Sequence, residues 1–408
     1  MTWVWRGRTG GAGAWGGLKL ALGVAAWCAS TAAARAESIT YDAVLAGAED
    51  DPQVVAAIAR VDAAQAEAKA ELAWENPQFR VAVNDLGRMA VTDLGLARVK
   101  PWVEVGLRVP VPNPVLLLRA RAEGAASVAL AEAERERVRL AVRRELAALY
   151  VDAWASSELA LAHRRMVDTQ RALVEHARKR REAGLASSLE LARALGDLGR
   201  AEVAAGEAAA NAAAAIAVLQ NRLAMRTTPE LAVVPAPPVP ASLEDAVGAR
   251  VQAAGLAELS RGLTGVGEST ARVEASTAIP WFDWVQVSAE LQPREARADL
   301  SSAIRLPLWA WGTAAAKAAR LDASADVAEV VALHRELAAE TAAAWSLWSG
   351  AERASVTLAP IVADLRRERD LADASLRPAI DVELARLELQ QAELLAVRSV
   401  AGWAVVAR

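Results

Sequence analysis

Cysteine is almost absent from the sequence, which contains only Cys28 among its 408 residues. This residue lies in an N-terminal segment with the pattern of an export signal: Arg6 and Arg8 precede a short apolar run, and an A-x-A site follows at 34–36. We predict that residues 1–36 are a signal peptide and that the mature chain has no thiol, which excludes disulfides and cysteine metal sites. A short membrane anchor and a lipidated Cys28 are the alternatives, although a spanning helix needs ~20 apolar residues.

Histidine, phenylalanine and tyrosine are also scarce, with three His, two Phe and two Tyr against fourteen Trp. His163, His176 and His334 lie in predicted helices without a second metal ligand at helical spacing, and the sequence has no phosphate-binding glycine loop or nucleophile–base arrangement. Removal of the signal removes four basic residues and no acid, so the formal charge moves from −4 to −8. We therefore predict a protein that is not an enzyme, has no cofactor or metal, and does not bind nucleic acid.

Proline is missing between residues 115 and 228, a stretch rich in Ala, Leu, Glu and Arg. This composition predicts a helix over 116–183, about 100 Å long at ~1.5 Å per residue, and a second helix over 188–224. No globular core buries a helix of that length, so we expect the second helix to fold back antiparallel on the first.

The mature sequence divides into two similar halves, 37–227 and 243–408, around the proline-rich linker 228–242. Each half is predicted to run helix, strand, loop, strand, long helix, break, long helix. The segment GLRVPV at 106–111 aligns with AIRLPL at 303–308. We interpret this order as an internal repeat.

Four segments alternate between apolar and polar residues, as strands with one apolar face do: 78–84, 102–109, 285–291 and 300–308. A soluble sheet alternates in the same way. However, six tryptophans lie in or beside these segments, and aromatic residues collect at both rims of outer-membrane barrels. They are Trp74, Trp102, Trp281, Trp284, Trp309 and Trp311. Since four strands cannot close a spanning barrel, several copies of the chain would have to share one.

The proline-free stretch is broken once, by EAGLASSLE at 182–190. Gly184 can adopt a positive φ angle and end the first helix, and the basic residues at 178–181 favour its negative end. Ser187 is expected to cap the second helix, with Glu190 completing a capping box. The segment is thus predicted to be a tight helical hairpin tip, which is either a turn only or a contact site.

On these features the chain resembles the TolC-like outer-membrane efflux proteins, also called outer membrane factors. The resemblance covers nearly all of 38–408 and rests on the duplicated helix–strand–strand–helix order and on three segments. These are ENPQFRVAVND at 75–85, VGLRVPVP at 105–112 and EAGLASSLELARA at 182–194. The ENPQ start and the NDLG after the first strand look most like the heavy-metal-efflux branch.

The resemblance implies a mainly α-helical protomer that also contributes four strands to a membrane barrel. Three copies would form a twelve-stranded barrel in outer-membrane lipid and a periplasmic α-barrel of long antiparallel hairpins. The hairpin tips would meet a periplasmic adaptor, or membrane fusion protein, that is fed by an inner-membrane pump. Candidate adaptor contacts are Gly184, Leu185, Ser187 and Ser188 at the first tip, and Ser375 and Arg377 at the second. Ser375 stands where the family usually has glycine.

The resemblance also suggests a gate at the narrow periplasmic end. Asp381 falls on the aspartate that the family places there, and Glu190 is its counterpart in the first half. A ring of such carboxylates would focus cations, whereas the ordinary alternative is that both acids favour helix N-termini. A second family acid is replaced by Leu384. Pro360 is interpreted as a kink beside the mid-tube belt, with an unrelated loop as the alternative.

Charged and amide residues on the polar side of the four strands are the candidates for the barrel lumen, because Arg or Lys facing hydrocarbon costs ~2–4 kcal/mol at the midplane. They are Arg80, Asn84, Glu104, Arg108, Gln286, Glu290 and Arg305.

The predicted function is the passive exit duct of a tripartite efflux or secretion system in a Gram-negative outer membrane, with metal cations as the cargo that the resemblance suggests. A soluble periplasmic coiled-coil scaffold or adaptor is the alternative, but it would leave the four strands unexplained.

Overall fold

The computed structural model describes residues 38–73, 75–84, 89–92, 95–98, 102–225, 228–291, 296–305, 312–373 and 376–406. The predicted signal peptide with Cys28 lies outside these residues, as do Trp74, Trp309 and Trp311.

The first half of the chain runs from two short helices through a group of strands into a long helical hairpin. Strand β1 (Ser38–Ile39), helix α1 (Tyr41–Ala46), a 3-10 turn (Gly47–Asp50) and α2 (Pro52–Ala70) come first. Strands β2 (Gln78–Asn84), β3 (Met89–Thr92), β4 (Gly95–Arg98) and β5 (Trp102–Pro110) follow. The hairpin consists of α3 (Pro114–Glu182) and α4 (Ser188–Arg222).

The second half places its elements in a similar order. Strand β6 (Glu230–Leu231) and helices α5 (Leu243–Ala253) and α6 (Leu256–Ser276) precede strands β7 (Trp281–Leu291) and β8 (Ala296–Arg305). The chain then forms α7 (Gly312–Leu371) and α8 (Arg377–Val406).

Helix α3 has 69 residues and its ends differ from the predicted ones by two residues or fewer. The Asn113 side chain caps its start by accepting hydrogen bonds from the backbone N–H groups of Val115 and Leu116, at 2.9 and 3.3 Å. Pro114 then occupies the first turn, where a missing N–H costs nothing. A helix about 100 Å long follows from the rise of ~1.5 Å per residue.

The hairpin partners run antiparallel, as the ion pairs between them show. Arg171 on α3 pairs with Glu202 on α4 at 2.9 Å, and Arg366 on α7 pairs with Glu388 on α8 at 2.8 Å. Pro360 lies inside α7, and the helix continues on both sides of it. The alternative of an unrelated loop at Pro360 is therefore wrong.

Among the described helices, only α4 is long and apolar enough by length and composition to cross a membrane. Much of its apolar content is alanine, and it packs along α3. Leu191 and Ala194 of α4 are buried against Val174 and Ala177 of α3. We therefore assign α4 to the helical hairpin.

The main core lies where the short elements at the start of the chain meet the middle of α3 and the ends of α4 and α8. Tyr150 is completely buried there, and its hydroxyl lies 2.7 Å from the Ile39 carbonyl oxygen and 3.0 Å from that of Ala232. Strands β1 and β6 pair in parallel beside it. The proline-rich segment that follows packs on this core, because Val234 is buried and Trp403 donates to the Pro235 carbonyl at 3.2 Å.

The only two tyrosines of the sequence lie in this core, so alkaline titration reports on its integrity. Burial, and next the charge of Asp42, raise the pKa of Tyr41 to about 12. Burial also raises the pKa of Tyr150. Since both folded-state pKa values exceed the unfolded value of ~10, their contribution to stability is complete below pH ~10 and is lost as pH rises through about 12. We expect no tyrosinate absorbance near pH 10 from the folded protein.

The control for this titration is the chain unfolded in guanidinium, in which both tyrosines should ionise near pH ~10. A folded protein that shows a tyrosinate signal with that same midpoint would contradict the burial of these hydroxyls.

The four longer strands form one antiparallel sheet in the order β2-β5-β7-β8. The first two predicted strands agree with the structure to within one residue, whereas β7 begins four residues earlier than predicted. Strand β8 begins at Ala296 instead of residue 300, and the predicted residues 306–308 lie outside the described part of the chain. The hairpin of β3 with β4 and the pairing of β1 with β6 were not predicted.

Candidate functional site

The register of the sheet places on one face the five predicted lumen residues whose side chains the structure describes, Arg80, Glu104, Arg108, Gln286 and Glu290. Residues directly opposite each other on neighbouring strands share a face, so the pairs that the register defines can be followed across the sheet. The rows are Gln78–Arg108–Gln286–Ser301, Arg80–Gly106–Ser288–Asp299 and Ala82–Glu104–Glu290–Arg297. Asn84 lies opposite Trp102, and Arg305 lies opposite Trp281, although the side chains of Asn84 and Arg305 are outside the described set.

This polar face is tied together by side-chain contacts. Gln286 is 4% exposed and donates from Nε2 to Oε1 of Glu104 at 3.1 Å. At the end of the sheet nearer the helices, the Arg108 guanidinium lies 4.2 Å from the centre of the Trp284 ring and 3.8 Å from Oδ2 of Asp283. A cation over an indole face is held by the ring quadrupole. Gln286, Glu104 and Arg108 therefore have defined partners within the chain.

The opposite face of the sheet is almost entirely apolar and open. One row across it is Phe79–Leu107–Val287–Leu300, and the next is Val81–Val105–Ala289–Ala298. Phe79 is 71% exposed and Leu300 is 75% exposed. A contiguous apolar patch of this kind, with the charged residues on the other side, is typical of a surface covered by another protein or by lipid.

The first hairpin tip has the helix-ending geometry that its glycine predicted. Gly184 has a φ angle of +75°, the N–H of Leu185 donates to Arg180 O at 2.8 Å, and the N–H of Gly184 donates to Arg181 O at 2.9 Å. These two bonds form a Schellman motif. The Ser187 hydroxyl then accepts from the N–H of Glu190 at 3.2 Å and caps α4. Leu185 at the apex is 70% exposed and Ser188 is also exposed.

The predicted capping box is wrong in one of its two bonds, the one from the Glu190 side chain to the Ser187 backbone. The Glu190 carboxylate does not bond back to the backbone of Ser187; instead it accepts from the Arg180 guanidinium at 2.7 Å. The same guanidinium donates to Leu185 O at 3.2 Å. Because Arg180 stands in the last turn of α3, this contact joins the two helices across the tip, which a local capping rule does not consider.

The second hairpin tip has a similar ion pair. Arg369 Nε at the end of α7 lies 2.6 Å from Oδ1 of Asp381 in α8. Arg377 begins α8, and its guanidinium donates to the Ala372 carbonyl at 3.3 Å. Leu384, at the position of the missing family acid, is buried. Ser375 lies outside the described residues.

Both gate candidates are thus neutralised by an arginine on the preceding helix, and sequence reasoning missed Arg180 and Arg369. At the first tip, a pairing of residues at equal distances from the helix ends would have found Arg180, which is two residues before the end of α3 as Glu190 is two residues after the start of α4. At the second tip the spacing is unequal, because Arg369 is two residues before the end of α7 and Asp381 is four residues after the start of α8. In the described part of the chain, no group of three or more His, Cys, Asp and Glu side chains could hold a metal ion.

Comparison with solved structures shows the fold. The chain is similar to CusC, which forms a transmembrane channel, with a TM-score of 0.67, 15% identity, and coverage of 92% of this chain and 94% of that one. It is similar to the outer membrane protein VceC of Vibrio cholerae, with a TM-score of 0.62, 14% identity, and coverage of 90% and 94%. The MtrE outer membrane channel of Neisseria gonorrhoeae gives a TM-score of 0.61 at 14% identity, covering 92% of both chains.

No protein-family model matches the sequence, and no curated protein does. At these identities the likeness is one of fold. The chain has the fold of the outer-membrane channel proteins over about nine tenths of its length.

Proposed function

We propose that this protein is the passive exit duct of an efflux or secretion system in the outer membrane of a Gram-negative bacterium. The observation that carries the proposal is the sheet, with charged residues on one face and an exposed apolar face on the other, at the end of helical hairpins whose long helices measure about 90 to 100 Å. Lipid would cover the apolar face, and the polar face would line a water-filled lumen. A duct of this kind does no chemistry, so the protein is proposed not to be an enzyme.

Closure of the barrel requires more than one copy of the chain. Strands β2 and β8 are the two edges of the four-stranded sheet, and backbone groups at open edges are not tolerated in lipid. Three copies would supply twelve strands, and their hairpins would form a hollow periplasmic tube. We also propose that residues 37–227 and 243–408 are two structural repeats joined by the linker 228–242.

The hairpin tips are proposed to meet a periplasmic adaptor that is fed by an inner-membrane pump. The described tips expose Leu185 and Ser188 in one hairpin and Leu376 and Arg377 in the other. An apolar side chain at a solvent-exposed apex offers a surface that a partner helix can bury.

Metal cations are the cargo hypothesis that follows from the resemblance. A deletion strain that becomes sensitive to drugs and not to metal salts would remove that hypothesis.

The experiment that tests the duct is planar-bilayer conductance of the detergent-extracted protein. We expect discrete channel steps. Asp381→Asn should lower the preference for cations, because the tip loses a carboxylate and Arg369 loses its partner. Arg369→Gln should raise it, because the carboxylate of Asp381 is no longer neutralised.

Asp370→Asn is the matched control, since Asp370 is an exposed acid beside Arg369. Equal effects of Asp370→Asn and Asp381→Asn would remove Asp381 from the gate while leaving the duct. Folded oligomers that give no channel steps, and a protein released from membranes by salt without detergent, would favour the periplasmic scaffold instead.

A further inference from the structure

Arg144 of α3 and Arg250 of α5 are near enough to act on each other electrostatically, and Glu340 of α7 acts on both. Ala404 of α8 lies beside Arg250. The Arg250 side chain is 13% exposed and donates from one terminal nitrogen to the Ala404 carbonyl oxygen at 2.5 Å. Its other terminal nitrogen is 3.8 Å from the Glu340 carboxylate, too far for a hydrogen bond.

These guanidinium groups have donors without acceptors. Nε and one terminal nitrogen of Arg144, and Nε of Arg250, are shielded from solvent and have no hydrogen-bond partner among the described residues. Buried N–H groups of native proteins are nearly always paired, and an orphaned donor on a charged group is especially unfavourable. These three donors therefore lack an acceptor among the described residues.

The positive charge of the two arginines also exceeds the negative charge beside them. Burial lowers the pKa of Arg144, and the nearby positive charge of Arg250 lowers it further. Burial lowers the pKa of Arg250 as well, and Glu340 is the acid that opposes this effect in both arginines. Arginine remains protonated in such surroundings, so two cations face one carboxylate that is more than half exposed.

We propose that Arg144 and Arg250 form a binding site for an oxyanion, either a carboxylate or a phosphate group. Two guanidinium forks present planar sets of donors, which match the oxygens of these groups. The anion comes either from solution or from an acidic side chain of a neighbouring copy of this chain. The site lies in the helices and does not depend on the channel function.

The test is calorimetric titration of the full-length, detergent-extracted protein with inorganic phosphate at constant ionic strength. We expect one phosphate per chain, with affinity lower by about tenfold or more in Arg144→Gln and in Arg250→Gln. Arg164→Gln, which alters an exposed arginine on the same helix, should leave the affinity unchanged.

A variant with the opposite sign separates the site from general damage to the fold. Glu340→Gln removes the competing carboxylate, so phosphate should bind roughly threefold more tightly or better. Phosphate binding that is the same in wild type, Arg144→Gln and Arg250→Gln overturns the proposal.

The second source has its own readout. If the wild type takes up no phosphate, the anion is a neighbour's carboxylate, and both arginine variants should then weaken assembly. In sedimentation, each variant should dissociate to the single chain at a protein concentration about tenfold higher than the wild type does. Absence of phosphate uptake together with unchanged assembly overturns the proposal in both forms.

Discussion

Gly267→Ala is expected to destabilise the protein by about 1–3 kcal/mol or more, although it adds only one methyl group. A Cβ atom at Gly267 of α6 would lie 2.2 Å from the Cβ of Ala323 and 3.3 Å from the Ala319 carbonyl oxygen, both on α7. Real Cβ atoms essentially never approach within 3.0 Å, and neither neighbour is a flexible side-chain end. Helices α6 and α7 would therefore have to move apart.

The matched control is Gly265→Ala, two residues earlier on the same helix. A Cβ at Gly265 meets nothing within 4 Å, so this change should stabilise the helix by up to about 1 kcal/mol through the better propensity of alanine. The measurement is loss of the helical circular-dichroism signal on heating in detergent. Shifts of the same sign in the two variants would contradict the close crossing of α6 and α7.

The first half of the chain has a similar close contact between a short and a long helix, but here the glycine is on the long helix. There the glycine is Gly124, on the long helix α3, and a Cβ added to it would lie 2.7 Å from the Cβ of Ala68 on α2. Each half thus brings a short helix against its long one through a glycine and an alanine, with the two residue types exchanged. Sequence alignment of the halves cannot show this, because the glycines occupy different elements.

The long helices and the first two strands were predictable because they depend on local patterns. Alanine-rich, proline-free sequence specifies a helix along its whole length, and period-2 alternation specified β2 over its exact range. The start of β8 was missed because its first residues include Arg297 and Asp299, which resemble a loop. These residues form part of the strand because they pair with β7, where Arg297 lies opposite Glu290 and Asp299 lies opposite Ser288.

The ion pairs at the tips could not be predicted by reading one helix at a time. Four basic residues end α3, and only the fold of the hairpin decides which of them reaches across. Arg178 pairs with Glu175 on its own helix at 2.6 Å, whereas Arg180 reaches Glu190 on the next. The candidate acids were named from the resemblance, but their neutralisation is a property of the folded tip.

The contacts of the proline-rich segment 228–242 could not be predicted from its composition. Its composition predicts a linker, since proline cannot donate to a helix or a central strand. The structure packs this segment on the core through Val234 and the Pro235 carbonyl. What the segment touches is set by Tyr150 and Trp403, which are distant in sequence.

The largest effect on membrane assembly is expected from Val81→Arg in β2. Val81 is 58% exposed and lies in the middle row of the apolar face, opposite Val105. An arginine facing hydrocarbon near the midplane costs ~2–4 kcal/mol, and each copy in an oligomer would bear that cost. The fraction of protein that only detergent can extract from membranes should therefore fall by on the order of tenfold or more.

Ala82→Arg is the comparison, because it places the same side chain one residue further along the strand and hence on the polar face. Ala82 lies opposite Glu104, so the new guanidinium would meet a carboxylate in the proposed lumen. This variant should reach the membrane as the wild type does and should reduce the cation preference of the channel. If both variants were extracted as fully as the wild type, the apolar face would not be in contact with lipid, and the four strands would belong to a soluble assembly.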